Sequence, residues 1–114
     1  MSRASQPASN LGEFEQLVLL ALVRLRDNAY GVTIRREIEH RAGREVSIAA
    51  VYTTLDRLEK KRLVSSWTGE PTAQRGGRSK RFFQLEPAGA EALAASYRSY
   101  QGMVAGLERQ LKKL

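Results

Sequence analysis

Apolar residues recur at helical spacing through most of this chain, and the places where the period stops mark its elements. Leu11, Phe14, Leu17, Val18, Ala21, Leu22 and Leu25 form a wide apolar stripe. It predicts a helix running to about Arg26, buried on more than one side. Asn10 and Glu13 have the spacing of a weak capping box at its start. Asp27 to Gly31, DNAYG, then breaks the pattern with turn chemistry. A second helix is expected from about Val32 to Ala42, with Ile34, Ile38 and Ala42 inward. Arg35, Arg36, Glu37, Glu39 and Arg41 fall mainly outside, and Gly43 is placed to cap its end.

Ser47 to Leu63, SIAAVYTTLDRLEKKRL, predicts a third helix. Ser47 is a good N-cap because its hydroxyl can accept a bond from an orphan N–H of the first turn. Ile48, Val51, Leu55 and Leu58 lie on one face at spacings of three and four, and Ala49, Ala50, Thr53, Arg57 and Lys60 lie opposite. Taken alone, the segment fits an amphipathic core helix. A buried stripe with a small, hydroxylic outer face also suits insertion into a DNA major groove. The two preceding helices and short turns present this third helix outward.

Leu63 to Thr68 and about Lys80 to Leu85 are rich in β-branched and apolar residues, and they predict the two strands of a hairpin. The turn-rich connection, Gly69 to Gly77, is too long for a tight turn and is expected to protrude. Its end, RGGRSKR, brings Arg75, Arg78, Lys80 and Arg81 together around two glycines. Such a tip suits a phosphate or minor-groove contact, or it is a solvated basic loop. Trp67 in the first strand reads as a packing residue. From Pro87, at a favourable first helical position, the chain is expected to be helical to its end. Leu93, Tyr97, Tyr100, Val104, Leu107, Leu111 and Leu114 repeat alternately at four and three. That is a 3.5-residue seam of the coiled-coil kind. A second copy of the chain is its natural partner, with packing on the first helix as the alternative. Gly102 and Gly106 within it permit close helix approach.

Composition narrows the chemistry. A chain of 114 residues is expected to build one small core with room for an appended helix. Its net charge of +7 points to a polyanionic partner, or to solubility alone. With no cysteine there is no disulfide or thiolate chemistry. No apolar run is long enough to span a bilayer, and the start, MSRASQPASN, lacks the apolar core of a secretory signal. No membrane partner and a cytoplasmic location are therefore expected. His40, the single histidine, sits on a charged helix face without other ligands, so no metal site is expected. No nucleophile–base pairing or phosphate-binding loop stands out, so neither an enzyme nor a cofactor is expected.

From about Leu11 to Leu93 the chain resembles the PadR family of winged helix-turn-helix transcriptional regulators. The resemblance lies in Leu19-Leu20-Ala21-Leu22, Tyr30-Gly31, and Val51-Tyr52-Thr53-Thr54-Leu55-Asp56-Arg57-Leu58-Glu59. It continues in Leu63-Val64, Gly77-Arg78, Phe82-Phe83 and Pro87-Ala88-Gly89. Glu86 departs from the family pattern, which has Thr before that proline, and the wing tip is somewhat long. The resemblance implies a mainly α (α+β) fold: a winged helix-turn-helix with a two-stranded β-wing and a C-terminal dimerisation helix. The expected division is an arm at 1–9, a DNA-binding winged-helix domain at 10–86 and a dimerisation helix at 87–114.

The resemblance also implies a homodimer on a palindromic double-stranded operator, with the third helix in the major groove and the wing on flanking backbone or minor groove. Carried over position by position, Ser47, Ala49, Ala50, Tyr52, Thr53 and Thr54 become groove-contact candidates. Tyr52 borders the apolar stripe and reads equally as core. Arg57 is a phosphate candidate or pairs with a carboxylate, and Arg75, Arg78 and Lys80 are the wing candidates. Leu93, Tyr97, Tyr100, Val104, Leu107 and Leu111 are the dimer candidates. Some relatives bind aromatic effectors between subunits, so a small-molecule effector at Tyr97 and Tyr100 stays open beside plain interface packing. The expected function is a DNA-binding repressor. The alternatives are a winged-helix protein-interaction module and a non-specific nucleic-acid binder.

Overall fold

The computed structural model describes residues 11–69 and 79–114, so the arm at 1–9 and the wing-tip residues Arg75 and Arg78 lie outside the described residues. Helices α1 (Glu13–Leu25), α2 (Gly31–Ala42) and α3 (Ile48–Lys60) enclose Val18, Leu19, Leu22, Ile34, Ile38, Val51, Leu55 and Leu58. Each helix turns its apolar stripe to this centre, because burying the stripe is what makes helices of this length stable.

Helix α1 starts differently from expectation. Its cap is Gly12, whose N–H donates to Glu15 Oε1 at 2.9 Å. The glutamate that closes the box is therefore Glu15, and Glu13 pairs instead with Arg44 at 3.1 Å. A turn of 3-10 helix, Arg26–Asn28, follows α1. The Thr33 hydroxyl then accepts the Tyr30 N–H at 3.0 Å and donates to the Asn28 carbonyl at 2.6 Å, closing the loop and capping α2 with one side chain. Gly43 ends α2 at φ 70, as its position implied. Ala42, expected inward, is exposed because the last turn of α2 runs past the core.

Ser47 caps α3, its Oγ accepting the Ala50 N–H at 3.0 Å. At the other end Arg62 adopts φ 63, its N–H bonds the Glu59 carbonyl at 2.9 Å, and the Leu63 N–H bonds the Leu58 carbonyl at 3.0 Å. This is a Schellman ending with arginine where glycine is usual, and it brings the buried Leu63 back beside the buried Leu58.

Strands β1 (Val64–Thr68) and β2 (Arg81–Leu85) pair antiparallel, with Ser66 opposite Phe83 and Thr68 opposite Arg81. The loop before α2 adds a short third edge: Tyr30 bridges Phe82, and the Phe83 N–H donates to the Ala29 carbonyl at 2.9 Å. Trp67 stacks on Phe82 with ring centroids 5.6 Å apart, yet stays half-exposed.

Helix α4 (Pro87–Val104) leaves the wing from Glu86, whose carboxylate makes no cap bond and accepts the Ser65 hydroxyl instead. Gly89 lets α4 meet the chain at Leu63: a Cβ there would stand 2.1 Å from the Leu63 carbonyl oxygen. The helix expected to continue to the chain end stops at Val104. Gly106 takes φ 85, the Leu107 N–H turns back to the Val104 carbonyl at 2.8 Å, and a short α5 (Glu108–Lys112) follows. A glycine expected to be tolerated inside one helix instead ends it, because its positive φ supplies the left-handed turn. The fold is mainly helical with one two-stranded antiparallel sheet.

Two glycines of α4 should answer oppositely to the same change. Gly89→Ala places a methyl group against backbone, and is expected to lower stability by about 2 kcal/mol after the gain in helix propensity is counted. Gly102→Ala meets nothing within 4 Å and is expected to raise stability by about 0.5–1 kcal/mol. Urea unfolding of both variants checks this, and a tolerated Gly89→Ala would contradict the close packing at Leu63.

Candidate nucleic-acid interface

The solvent edge of α3 carries Ile48, Ala49, Thr53, Asp56, Arg57 and Lys60 in chain order. Ile48, expected in the apolar stripe, is 36% exposed, because the first turn of α3 projects beyond the core. Ala49 and Thr53 are exposed and Ala50 is half-buried, so these three candidates do share an accessible edge. Thr54, expected on the same face, is only 5% exposed. It lies between Val51 and Leu58 on the buried stripe, and its side chain belongs to the packing rather than to an outer surface.

Tyr52 combines both of its readings. Its ring leans on α2 so closely that a Cβ on Gly31 would fall 2.4 Å from the phenolic oxygen, and it lies 6.4 Å from the Phe83 ring. It is nevertheless only half-buried, with its hydroxyl end at the junction of α2 and α3. Gly31 is thus required by a neighbouring ring, not by a positive φ.

Arg57 is exposed and takes part in no ion pair among the described residues, so its guanidinium is open to an outside anion. Lys80 is exposed at the base of the wing, with Nζ 5.0 Å from the centre of the Tyr30 ring. Arg81, grouped with the basic tip by its sequence position, behaves otherwise. Its Nη1 reaches Asp56 Oδ1 at 3.4 Å, its Nη2 pairs with Glu59 Oε1, and its Nε donates to Ser66 Oγ at 3.2 Å. Strand alternation carried the signal for this: Arg81 is two residues from the buried Phe83, and so shares its face.

Glu15 anchors the opposite end of α3. Its buried carboxylate takes the Gly12 N–H on one oxygen and Lys61 Nζ on the other, at 3.1 Å. Burial by itself raises the pKa of this carboxyl. The Gly12 bond, the Lys61 bond and charge, and the Arg57 charge together outweigh it and hold the group below its usual 4.5.

The dimer candidates divide. Leu93 is half-buried against the core, while Tyr97 and Tyr100 are 60% and 66% exposed. Val104 ends α4 half-buried, and Leu107 and Leu111 lie beyond the Gly106 turn, both exposed. Leu20 and Val23 of α1, 46% and 50% exposed, belong beside them. With Leu93 and Tyr97 they line an apolar groove of about 340 Å³ between α1 and α4. The first-helix pattern did not single out these two residues, because the stripe there is apolar on more than one side. No group of His, Cys, Asp or Glu suited to a metal ion occurs among the described residues, and none of the described helices is long and apolar enough to cross a membrane.

A tri-helical core presenting its third helix outward beside a β-hairpin defines the winged helix-turn-helix class. The chain belongs to the PadR-like family of transcriptional regulators, whose sequence model matches residues 19–95. Members of that family are regulators and not enzymes. A PadR family regulator from Clostridium difficile is similar with TM-score 0.70 and 20% identity, over 88% of this chain and 99% of that one. A PadR-like transcription factor from Bacteroides fragilis is similar with TM-score 0.69 and 21% identity, over 84% and 87%. RosR of H. salinarum, in its hsRosR-S1 complex, is similar with TM-score 0.66 and 26% identity, over 92% and 87%. No curated protein matches the chain.

The Glu15 pair sets a pH dependence. The unfolded chain protonates this group near 4.5, and the folded protein keeps it ionised to lower pH. The pair therefore stabilises fully above the unfolded value and is lost as pH falls through the folded one. Glu15→Gln is expected to cost about 1 kcal/mol at neutral pH and to flatten the loss of stability below pH 4.5. Urea unfolding across that range checks it, and curves that stay parallel to wild type would assign the acid sensitivity to other carboxylates.

Proposed function

We propose that this chain is a dimeric, sequence-specific DNA-binding regulator that represses transcription, with α3 in the major groove and the wing on flanking backbone or minor groove. The observation that carries this reading is the outer edge of α3. Ala49, Ala50 and Thr53 are small enough for close approach to base edges, and Arg57, exposed and in no ion pair among the described residues, follows one turn later. Alanine and the threonine methyl can meet a thymine methyl, and the threonine hydroxyl can meet a base edge. Ser47 and the Tyr52 hydroxyl flank that edge. Lys80 lies at the wing base, and Arg75 and Arg78, outside the described residues, complete the wing contact in this proposal. Thr54 is left out because it is buried.

Dimerisation rests on apolar surface. Leu20, Val23, Tyr97 and Tyr100 leave a largely exposed face, and monomeric proteins rarely keep such a patch uncovered. The proposed interface joins α4 to α1 of the second copy, with Leu93 and Val104 within it and Leu107 and Leu111 extending it past the turn. A two-fold dimer reads a palindrome with half-sites about 34 Å apart.

Fluorescence anisotropy against promoter and scrambled duplexes is the direct test, and equal affinity at physiological salt would leave only a non-specific binder. Arg57→Ala is expected to weaken both classes of binding alike and to lower the salt slope by about 0.9. Thr53→Ala is expected to cost about 1–3 kcal/mol on the preferred site only. Tyr97→Asp should convert a sedimenting dimer to monomer with the fold retained. A wild-type monomer at micromolar concentration would remove both the dimer and the palindrome.

A further inference from the structure

We infer that Arg81 is a positioning residue: it braces the base of the wing against α3 and makes no contact with DNA. The inference rests on the DNA-binding reading only for its binding consequences. Arg81 opens β2, directly after Lys80 and the glycine-rich basic tip, where a free arginine would be a natural phosphate ligand. All three of its guanidinium nitrogens are already engaged with Asp56, Glu59 and Ser66. The Ser66 hydroxyl donates onward to the second Glu59 oxygen at 2.8 Å, so β1, β2 and α3 share one bonded cluster. The guanidinium also lies over the Phe83 ring, 4.8 Å from its centre. Each guanidinium nitrogen already gives one bond to this cluster, so turning the group toward a phosphate would break its contacts with two carboxylates and a hydroxyl.

The cluster explains two acidic residues that otherwise oppose function. Asp56 lies on the outer edge of α3 and Glu59 is half-buried beside it. Both are on a helix that would approach a polyanion, where unneutralised carboxylates repel. Arg81 draws both toward the wing. The same contacts set the distance between the reading edge of α3 and the wing base, which are joined by sequence only through Lys61 to Leu63. A two-part DNA contact depends on that distance, because a wing free to shift engages phosphate only after it is ordered.

The sign of one substitution separates this from simple electrostatics. Removing a negative charge from a DNA-binding helix ordinarily strengthens binding. Glu59→Gln here breaks the brace, and is expected to weaken binding by about threefold or more. Arg81→Gln should weaken binding by a similar factor, and the double variant should bind no worse than the weaker single. The probe is a labelled duplex selected from random sequence by the full wild-type chain, with each variant shown to be folded by circular dichroism. A residue that served stability alone would lower the unfolding temperature and leave the affinity of folded protein unchanged. The salt slope for Arg81→Gln should match wild type, whereas a lost phosphate contact lowers it by about 0.9. Amide exchange without DNA gives a second readout: Gly69, whose N–H bonds the Lys80 carbonyl at 2.7 Å, should exchange faster in both single variants. Glu59→Gln binding at or above wild-type affinity, additive losses, a reduced slope or unchanged exchange would each overturn the brace. A wild-type chain that selects no duplex sinks the DNA reading alone, and the exchange result still decides the brace.

Discussion

The seating of Phe83 is the constraint on which the rest of this structure depends. It is the largest of the fully buried side chains, and it enters the core from a strand, not from one of the three helices. Its backbone N–H is held by Ala29, its strand partner is Ser66, and the Tyr52 and Arg81 side chains close over its ring. One residue thus touches the loop before α2, the middle of α3 and both wing strands. A two-stranded hairpin is at best marginally stable in water by itself. Anchored through Phe83, the wing becomes part of the core, and its position relative to α3 is fixed by packing before any ligand arrives.

That packing has an electrostatic consequence. The chain carries +7 net, yet its positive charge is not spread evenly in effect. Arg44, Lys61 and Arg81 are each engaged with carboxylates, while Arg57 and Lys80 are exposed and form no ion pair among the described residues. The engaged cations hold elements together: α1 to the α2–α3 link, α1 to the end of α3, and the wing to α3. Arg57, on the third turn of α3, and Lys80, at the wing base, are exposed on the side of the proposed DNA contact, while other exposed cations without an ion pair among the described residues, such as Arg36 and Arg98, lie elsewhere. Charge counted along the chain therefore overstates the number of cations available to a polyanion, and the pairing pattern decides which remain.

Much of this was legible in the residues. The Ser47 cap, the Val51, Leu55 and Leu58 stripe, the Gly43 ending and both wing strands follow from periodicity and turn chemistry, and the structure has each of them. Thr54 was readable too. It completes the i, i+3, i+4, i+7 set with Val51, Leu55 and Leu58, and only its hydroxyl made it look like a surface residue. Ile48 failed the other way, since periodicity gives the face of a helix but not where along its length the core ends. The third wing edge at Tyr30 left no trace, because a single bridge has no period. The division of Arg57 from Arg81 was half legible: alternation puts Arg81 on the face of Phe83, but its carboxylate partners come from an element 22 and 25 residues away in sequence.

The turn at Gly106 changes what the C-terminal seam can do. An 18-residue α4 is about 27 Å long, and only Leu93, Tyr97, Tyr100 and Val104 of the heptad set lie on it. Leu93 already spends part of its surface on the core. What remains is two tyrosines and a valine, too little for a self-sufficient coiled coil, whose stability grows by adding whole heptads. A two-fold contact built on α4 needs apolar area from elsewhere, and Leu20 and Val23 supply it on the adjacent face of α1. The 3.5-residue spacing then has a different meaning from the one it has in a continuous helix. Its first half marks the face of α4 that meets the second copy in the proposed dimer, and its second half, beyond the left-handed glycine, presents Leu107 and Leu111 from a new direction. In the proposed dimer the surface that joins the copies therefore includes the same helix that opens the winged-helix core. In that dimer α1 would set the spacing of the two α3 helices as much as α4 does.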